Sequence, residues 1–360
     1  ARRDVGTVAR LPLPHRSDTM LVLAATPLAG GAAAVRLVAA CLTRIAQVND
    51  CSRSPVLVPF VVGNERVGAV PPAVVEALRS WPAVFECSDP SRVSLSPELA
   101  EATLEQRSAA VHEVALALRE SGLVTKWRDE RLALVTAFDA PPALVVERRL
   151  VPLLGGKGYG VAINGYSRDE RGELFLWVAT RAEDKATWPA MLDTLAAGAM
   201  SAGASVSAAA RSEAAEEAGV PDELLAAGLK PVGAVSYRGP DEDPVLPKDD
   251  VFFCFDLELP WDFEPVAVDG EVQGFERMRA ADVLRHVAFG ASPAFPCLAG
   301  RGPEETEETE HAPEQAECLN AFKPNINLVV LDFLLRHGHI QPSAPRYLEL
   351  VAALRQGECR

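Results

Sequence analysis

The sequence contains no uncharged apolar stretch of about 18 residues, the length a membrane-spanning helix needs, so no membrane span is expected. Its most apolar stretch, 19–43, is interrupted by Arg36 and by glycines. It also has no Cys-x-x-Cys pair: the seven cysteines (41, 51, 87, 254, 297, 318 and 359) are dispersed. An odd, scattered set points to reduced thiols in an intracellular compartment. The six histidines are dispersed too; His337 and His339 are close, but they fit the end of a helix better than a zinc site. Positive charge is in deficit, with 35 Lys and Arg against 50 Asp and Glu and a net charge of −15. That balance argues against a nucleic-acid backbone as the main partner. Residues 1–48 lack Lys and Glu altogether while holding six Arg and two Asp. Such a start fits either an organelle transit peptide or a loosely docked extension, in a cytoplasmic or mitochondrial protein.

A phosphate-binding glycine loop is also missing. "GGKGYG" (155–160) has neither the four-residue gap of a P-loop nor a helix opening after it, and reads as a turn into a strand.

What is present is an ordinary globular composition, 48% hydrophobic and 24% charged, in 360 residues, enough for roughly two domains. The first unit, 36–150, mixes elements. "VLVPFVV" (56–62) and "RLALVTAF" (131–138) are rich in β-branched and aromatic residues and read as strands. Residues 71–81 open with proline and read as a helix. Residues 104–121 carry Leu104, Val111, Val114 and Leu118 on one helical face and stop at Gly122.

The second unit, 151–345, begins with strands at 158–166 and 173–181 around the turn 167–172, followed by a loop over 182–200 and then a helix. Strands at 230–239 and 250–260 follow, then a short strand and helix within 269–287, and an apolar helix at 327–338. This order suits a mixed sheet between helices. Residues 301–317 hold seven Glu and read as a flexible acidic insertion rather than a site. Residues 1–35 and 346–360 read as an extension and a tail.

The chemistry concentrates in "SEAAEEAG" (212–219). Glu213, Glu216 and Glu217 lie at i, i+3 and i+4, on one face of a helix that Gly219 would stop. A solvated acidic face and a metal site both fit that spacing. The wider frame resembles the Nudix box, Gly-x5-Glu-x7-Arg-Glu-U-x-Glu-Glu-x-Gly-U with U aliphatic, beginning at Gly198. Two positions depart: Ala204 stands at the first motif Glu and Ser212 at the motif Arg. In the family these two side chains pair and orient the catalytic Glu, and here both are absent together. Beyond the box, "LWVATRAEDKATWPAMLDTLAAG", "DVFFCFDLELPWDF" and "VDGEVQGFE", with the upstream "LVPFVVGNERVGAV", look similar to one Nudix branch. That branch includes the Nudix part of fungal thiamin pyrophosphokinase and plant enzymes acting on oxidised thiamin diphosphates.

The resemblance implies an α+β protein, a Nudix α/β/α sandwich with a mixed sheet, preceded by a smaller α+β domain. It implies a hydrolase of a small-molecule diphosphate using Mg2+ or Mn2+. Glu213, Glu216 and Glu217 become the catalytic and metal-binding set, with Glu271 in "DGEVQG" as a fourth carboxylate. Hard cations take such oxygen ligands. In the 182–195 loop, Lys185 could meet a phosphate, Trp188 could stack on a substrate ring and Asp193 could orient the loop. Three functions stand open: cleavage of a damaged thiamin diphosphate to monophosphate and phosphate, cleavage of another nucleoside-diphosphate-linked compound, and a non-catalytic binding module suggested by Ala204 and Ser212.

Overall fold

A computed structural model describes residues 31–52, 54–240, 247–291 and 319–356. Residues 1–30 and the acidic stretch 301–317 lie outside these. The chain runs α1 (Ala32–Val48), β1 (Val58–Val62), β2 (Glu65–Val70), α2 (Pro72–Leu78), β3 (Phe85–Glu86), β4 (Val93–Leu95), α3 (Pro97–Ala100), α4 (Leu104–Glu120), β5 (Arg131–Leu134), β6 (Leu144–Glu147) and α5 (Leu150–Leu153). It continues through β7 (Gly158–Arg168), β8 (Leu174–Arg181), β9 (Leu192–Asp193), β10 (Ala196–Ala199), α6 (Val206–Ala218), α7 (Asp222–Gly228), β11 (Leu229–Pro240) and β12 (Pro247–Glu258). It ends with β13 (Val272–Arg279), α8 (Ala280–Phe289), α9 (Ile326–Arg336) and α10 (Tyr347–Ala353).

The first unit is a small sheet, β2-β1-β4-β3, beside the hairpin β5–β6. Helix α4 starts in a capping box: the Thr103 hydroxyl accepts from the Gln106 backbone, and the Gln106 side chain accepts from the Thr103 backbone. Its apolar face, Val111, Val114, Ala115 and Leu118, is buried with Leu132, Leu134, Leu144 and Val146 of the hairpin. The hairpin is therefore fixed from behind, and its end near Glu147 and Arg148 is held toward the second unit. Gly155, in the glycine-rich turn, has φ +63°, and a side chain there would collide with the Ala69 carbonyl of β2. That close approach explains the glycine without any ligand.

The second sheet has the order β11-β12-β7-β8-β13, with β10 added on β7 and β9 on β8. The β12–β7 pairing is parallel and its other pairings are antiparallel, so the sheet is mixed. Side-chain alternation distributes each strand to two cores. Val161, Ile163, Phe255 and Leu257 face α6 and α7. Ala162, Leu176, Val178 and Cys254 face α1, α8, α9 and α10. Helices thus cover both faces, the α/β/α layering expected for the family.

Three elements differ from the sequence expectations. The 182–200 stretch, expected as loop, contains β9 and β10. Helix α1 was not anticipated; its face of Leu37, Val38, Cys41, Ile45 and Val48 lies in the second unit's core, although its residues fall mostly in the 36–150 segment. Leu350 and Leu354 of the C-terminal tail are buried in that same core. Burial of an amphipathic face, not chain order, decides where such helices settle.

Candidate active site

The acidic helix α6 begins at Ser205, whose hydroxyl accepts from the Ala208 backbone at 3.2 Å, and ends at Gly219 in the left-handed conformation. Its inner face is almost entirely alanine: Ala209, Ala210, Ala214 and Ala218 are buried. Small side chains let the helix lie close against β10 and β7, and that approach brings its carboxylates onto the strand backbone.

Glu217 is only 7% exposed, and its Oε2 accepts the Ala197 backbone N–H at 2.9 Å. Burial pushes its pKa up to about 8, with Asp193, Glu213 and Glu271 adding repulsion against the one opposing hydrogen bond. Glu213, one turn earlier, lies directly over Gly198, where a Cβ would overlap its carboxylate. Its pKa is raised to about 7, first by burial and then by Glu216 and Glu130. Glu216 stands apart: it is exposed, and its carboxylate accepts from the Ser212 hydroxyl at 2.5 Å.

The fourth expected carboxylate joins them. Glu217, Glu271 and Asp269 each offer an oxygen within 4.8 Å of the others. Asp269 also accepts the Glu271 backbone N–H at 2.8 Å, which shapes the turn before β13. Burial would raise the Glu271 pKa, but its ion pair with Lys185 outweighs that and holds it below the usual value. Lys185, expected to meet a phosphate, is thus engaged with a carboxylate of the cluster.

Asp193 is buried and pairs with Arg181 at 2.9 Å. The same guanidinium donates to the Trp188 and Thr187 carbonyls, at 2.9 and 3.0 Å. Trp188 and Ala190 adopt φ of 51° and 56°, a conformation that costs free energy for residues with a Cβ. Asp193 thus reaches the loop through Arg181, whose guanidinium holds the two loop carbonyls. Trp188 is half-buried within that loop.

Sequence reasoning missed Asp269, whose only signal was its place two residues before Glu271. It also missed Arg148. The box pair is absent at Ala204 and Ser212, but a Glu130–Arg148 ion pair at 2.8 Å, supplied by the first unit, stands beside Glu213. Burial opposes the Arg148 charge, yet Glu130, Asp250 and Glu213 together hold its pKa above the ordinary value. No sequence spacing could have shown that pairing, since Arg148 and Glu130 flank a hairpin and lie 50 and 68 positions upstream of Gly198, where the box begins.

A mixed sheet lies under a glutamate-bearing helix, and three carboxylates converge there with oxygens of the kind that hold a hard cation. The NUDIX domain model matches residues 158–296, and a domain of unknown function, DUF4743, matches 40–158. Nudix hydrolase 20, chloroplastic, of Arabidopsis thaliana is 34% identical over 326 residues, covering 87% of this chain and 78% of the relative. Nudix hydrolase 24, chloroplastic, of the same plant is 34% identical over 306 residues, covering 84% of this chain and 73% of the relative. An uncharacterized Saccharomyces cerevisiae protein is 31% identical over 242 residues, covering 64% of this chain and 61% of that protein. The chain belongs to the Nudix hydrolase family and is an enzyme of that class.

Proposed function

We propose that the protein hydrolyses the diphosphate linkage of a small molecule, with Mg2+ or Mn2+ as cofactor. The observation that carries this reading is the convergence of Glu217, Asp269 and Glu271 within 4.8 Å of one another, with Glu213 near enough on the same helix to repel Glu217. Burial and mutual repulsion raise two of their pKa values to about 7 and about 8. Carboxylates in that state are short of positive charge, and a hard divalent cation supplies it. Glu217, Asp269 and Glu271 provide the oxygens that lie closest together, and Glu213 completes the set from α6. When bound, such an ion polarises phosphate oxygens and makes water more acidic. Glu213, with its pKa near neutrality, is the group best poised to take a proton from an attacking water. Glu216, on the solvent side, adds negative charge to the rim. Arg181 and Asp193 fix the 182–190 loop, with Lys185 and Trp188, beside the cluster.

For the substrate we favour an oxidised thiamin diphosphate, cleaved to monophosphate and phosphate, on the resemblance of the 182–195 loop and the upstream unit to that Nudix branch. The units expected at 36–150 and 151–345 act together in this reading, because Glu130 and Arg148 reach the box helix. The four described cysteines, Cys41, Cys51, Cys87 and Cys254, are free thiols, in keeping with an intracellular, cytoplasmic or mitochondrial, setting. No helix among the described residues is long and apolar enough to cross a membrane. Neither nucleic acid nor membrane is a partner in this reading.

The test is a panel of thiamin diphosphates, ADP-sugars and dinucleotides with Mg2+ or Mn2+, read by released phosphate or monophosphate. Turnover of ADP-sugars in preference to thiamin compounds would replace the substrate assignment. Absence of turnover across the panel, with metal bound, would favour a binding module.

A further inference from the structure

An open cavity of about 620 Å³, counting solvent at its mouth, lies between the two units. Leu132 and Arg148 of the first unit form one wall, and Tyr159, Gly198, Lys248 and Lys323 of the second form the rest. Gly198 lines the cavity and is also the residue against which the Glu213 carboxylate lies, so the cavity adjoins the carboxylate cluster.

The charges of this cavity do not cancel. Arg148 pairs with Glu130 at 2.8 Å and Lys248 with Asp250 at 3.8 Å, while Asp249 is engaged by Lys157 from outside the lining at 2.5 Å. Asp250 also accepts from the Tyr237 hydroxyl at 2.7 Å. Lys323 is left over: among the described residues its ammonium makes no ion pair or hydrogen bond, and Asp193 acts on it only from a distance. The side chain is half-buried and lines the cavity. Burial pushes its pKa down to about 8 against the opposing pull of Asp193, so a bound anion would restore the charge that burial disfavours. Beside it, Asn325 also lines the cavity and is 6% exposed. Its Nδ2 donates to the Tyr237 hydroxyl at 3.1 Å, while its Oδ1 is buried with no hydrogen-bond partner. A half-buried cation and a buried acceptor, both left unanswered in one cavity wall, are costly to fold in and favour a ligand that answers them.

The geometry points to this cavity as the subsite for the phosphate end of the substrate, with Lys323 as its charge partner and Asn325 accepting from a protonated phosphate oxygen. A hydrogenphosphate group offers the matching set, negative oxygens together with one O–H. The assignment rests on the diphosphate-hydrolase reading above and deepens it: the phosphate furthest from the organic group lies between the units, and Arg148 makes the first unit part of the binding site.

The test uses the full chain in EDTA with inorganic phosphate as probe, followed by 31P line broadening or calorimetry, and Mn2+ binding measured separately. Wild type is expected to bind phosphate. Lys323→Met should weaken it by about tenfold or more, as loss of a desolvated charged contact does, with Mn2+ affinity unchanged. Lys323→Arg should retain most of the binding. If Lys323→Met does not fold, Lys323→Gln, which keeps a polar head but no charge, must show the loss in its place. Phosphate binding that is absent in wild type, or is insensitive to the variant that folds, overturns the subsite. Failure of Mn2+ to bind wild type would instead overturn the metallohydrolase reading while leaving the phosphate result standing.

Discussion

Gly198→Ala isolates the site from the fold. A Cβ at this position would sit well under 3.0 Å from all three carboxylate atoms of Glu213, where ordinary contact begins at 3.4 Å. The Glu213 carboxylate must therefore retreat by about 1 Å or more, taking its oxygens out of line with Glu217 and Glu271. Little else has to move. The clash is with the far end of a flexible side chain, and residue 198 has no positive φ that would strain an alanine. Replacing glycine in a strand also removes freedom from the unfolded chain, which offsets part of any lost packing by about 0.4–1 kcal/mol. Thermal stability should thus stay close to wild type. Activity should not, since a misplacement of about 1 Å at a catalytic group costs about 100-fold, or about 2.7 kcal/mol of transition-state stabilisation. The assays are kcat/KM on the best substrate of the panel and Mn2+ affinity, alongside a thermal melt. A variant with wild-type rate and wild-type metal affinity would refute the placement of Glu213 over Gly198 as functional. A variant that unfolds would refute the claim that only the side chain must yield.

Other expectations follow from the same geometry. Glu217→Gln can still accept the Ala197 N–H but loses the charge, so metal affinity should collapse with little change in fold; unchanged Mn2+ binding counts against the ligand assignment. Because the folded-state pKa of Glu217 is raised to about 8, its stabilising protonation is complete below its ordinary value of 4.5 and lost as pH climbs through about 8. Metal-free wild type should lose melting temperature over that window, Glu217→Gln should flatten the loss, and saturating Mn2+ should remove it; a flat metal-free profile would contradict the buried-carboxylate account. Arg181→Lys keeps a cation beside Asp193 but cannot serve both loop carbonyls, so KM should rise about tenfold with a stability cost of about 1–3 kcal/mol, measured by kinetics and denaturant melts. Wild-type KM in that variant would detach the loop from substrate binding.

How much of this was legible in the chain depends on whether the signal was local. The periodic helix 104–120, the strands of the mixed sheet and the glutamate helix carried their own caps, alternation or motif, and the structure places them where the sequence put them. Strand β10 did not announce itself: Ala-Ala-Gly-Ala contains no β-branched residue, and it pairs with β7 beneath the alanine face of α6. Helix α1 did carry a stripe, Leu37, Cys41, Ile45 and Val48, but lay within an alanine-rich, Arg-containing stretch weighed as a membrane candidate and as a transit peptide or extension. Glu217 and Glu271 were identified from the motif and the family resemblance. Arg148, Lys323 and Asn325 had no such signal, because their meaning comes from the docking of one unit on the other. The missing pair at Ala204 and Ser212 looked like a weakened site; the structure sets Glu130 and Arg148 next to the same helix.

The most direct test of the central claim is phosphate release from the diphosphate panel by wild type and Glu217→Gln at saturating Mg2+ and after chelation. The account predicts metal-dependent turnover in wild type, its loss in EDTA, and a drop of about 100-fold or more in the variant, the scale expected when a metal ligand or its support is removed. Turnover that survives chelation, or a variant that keeps the wild-type rate, would contradict it.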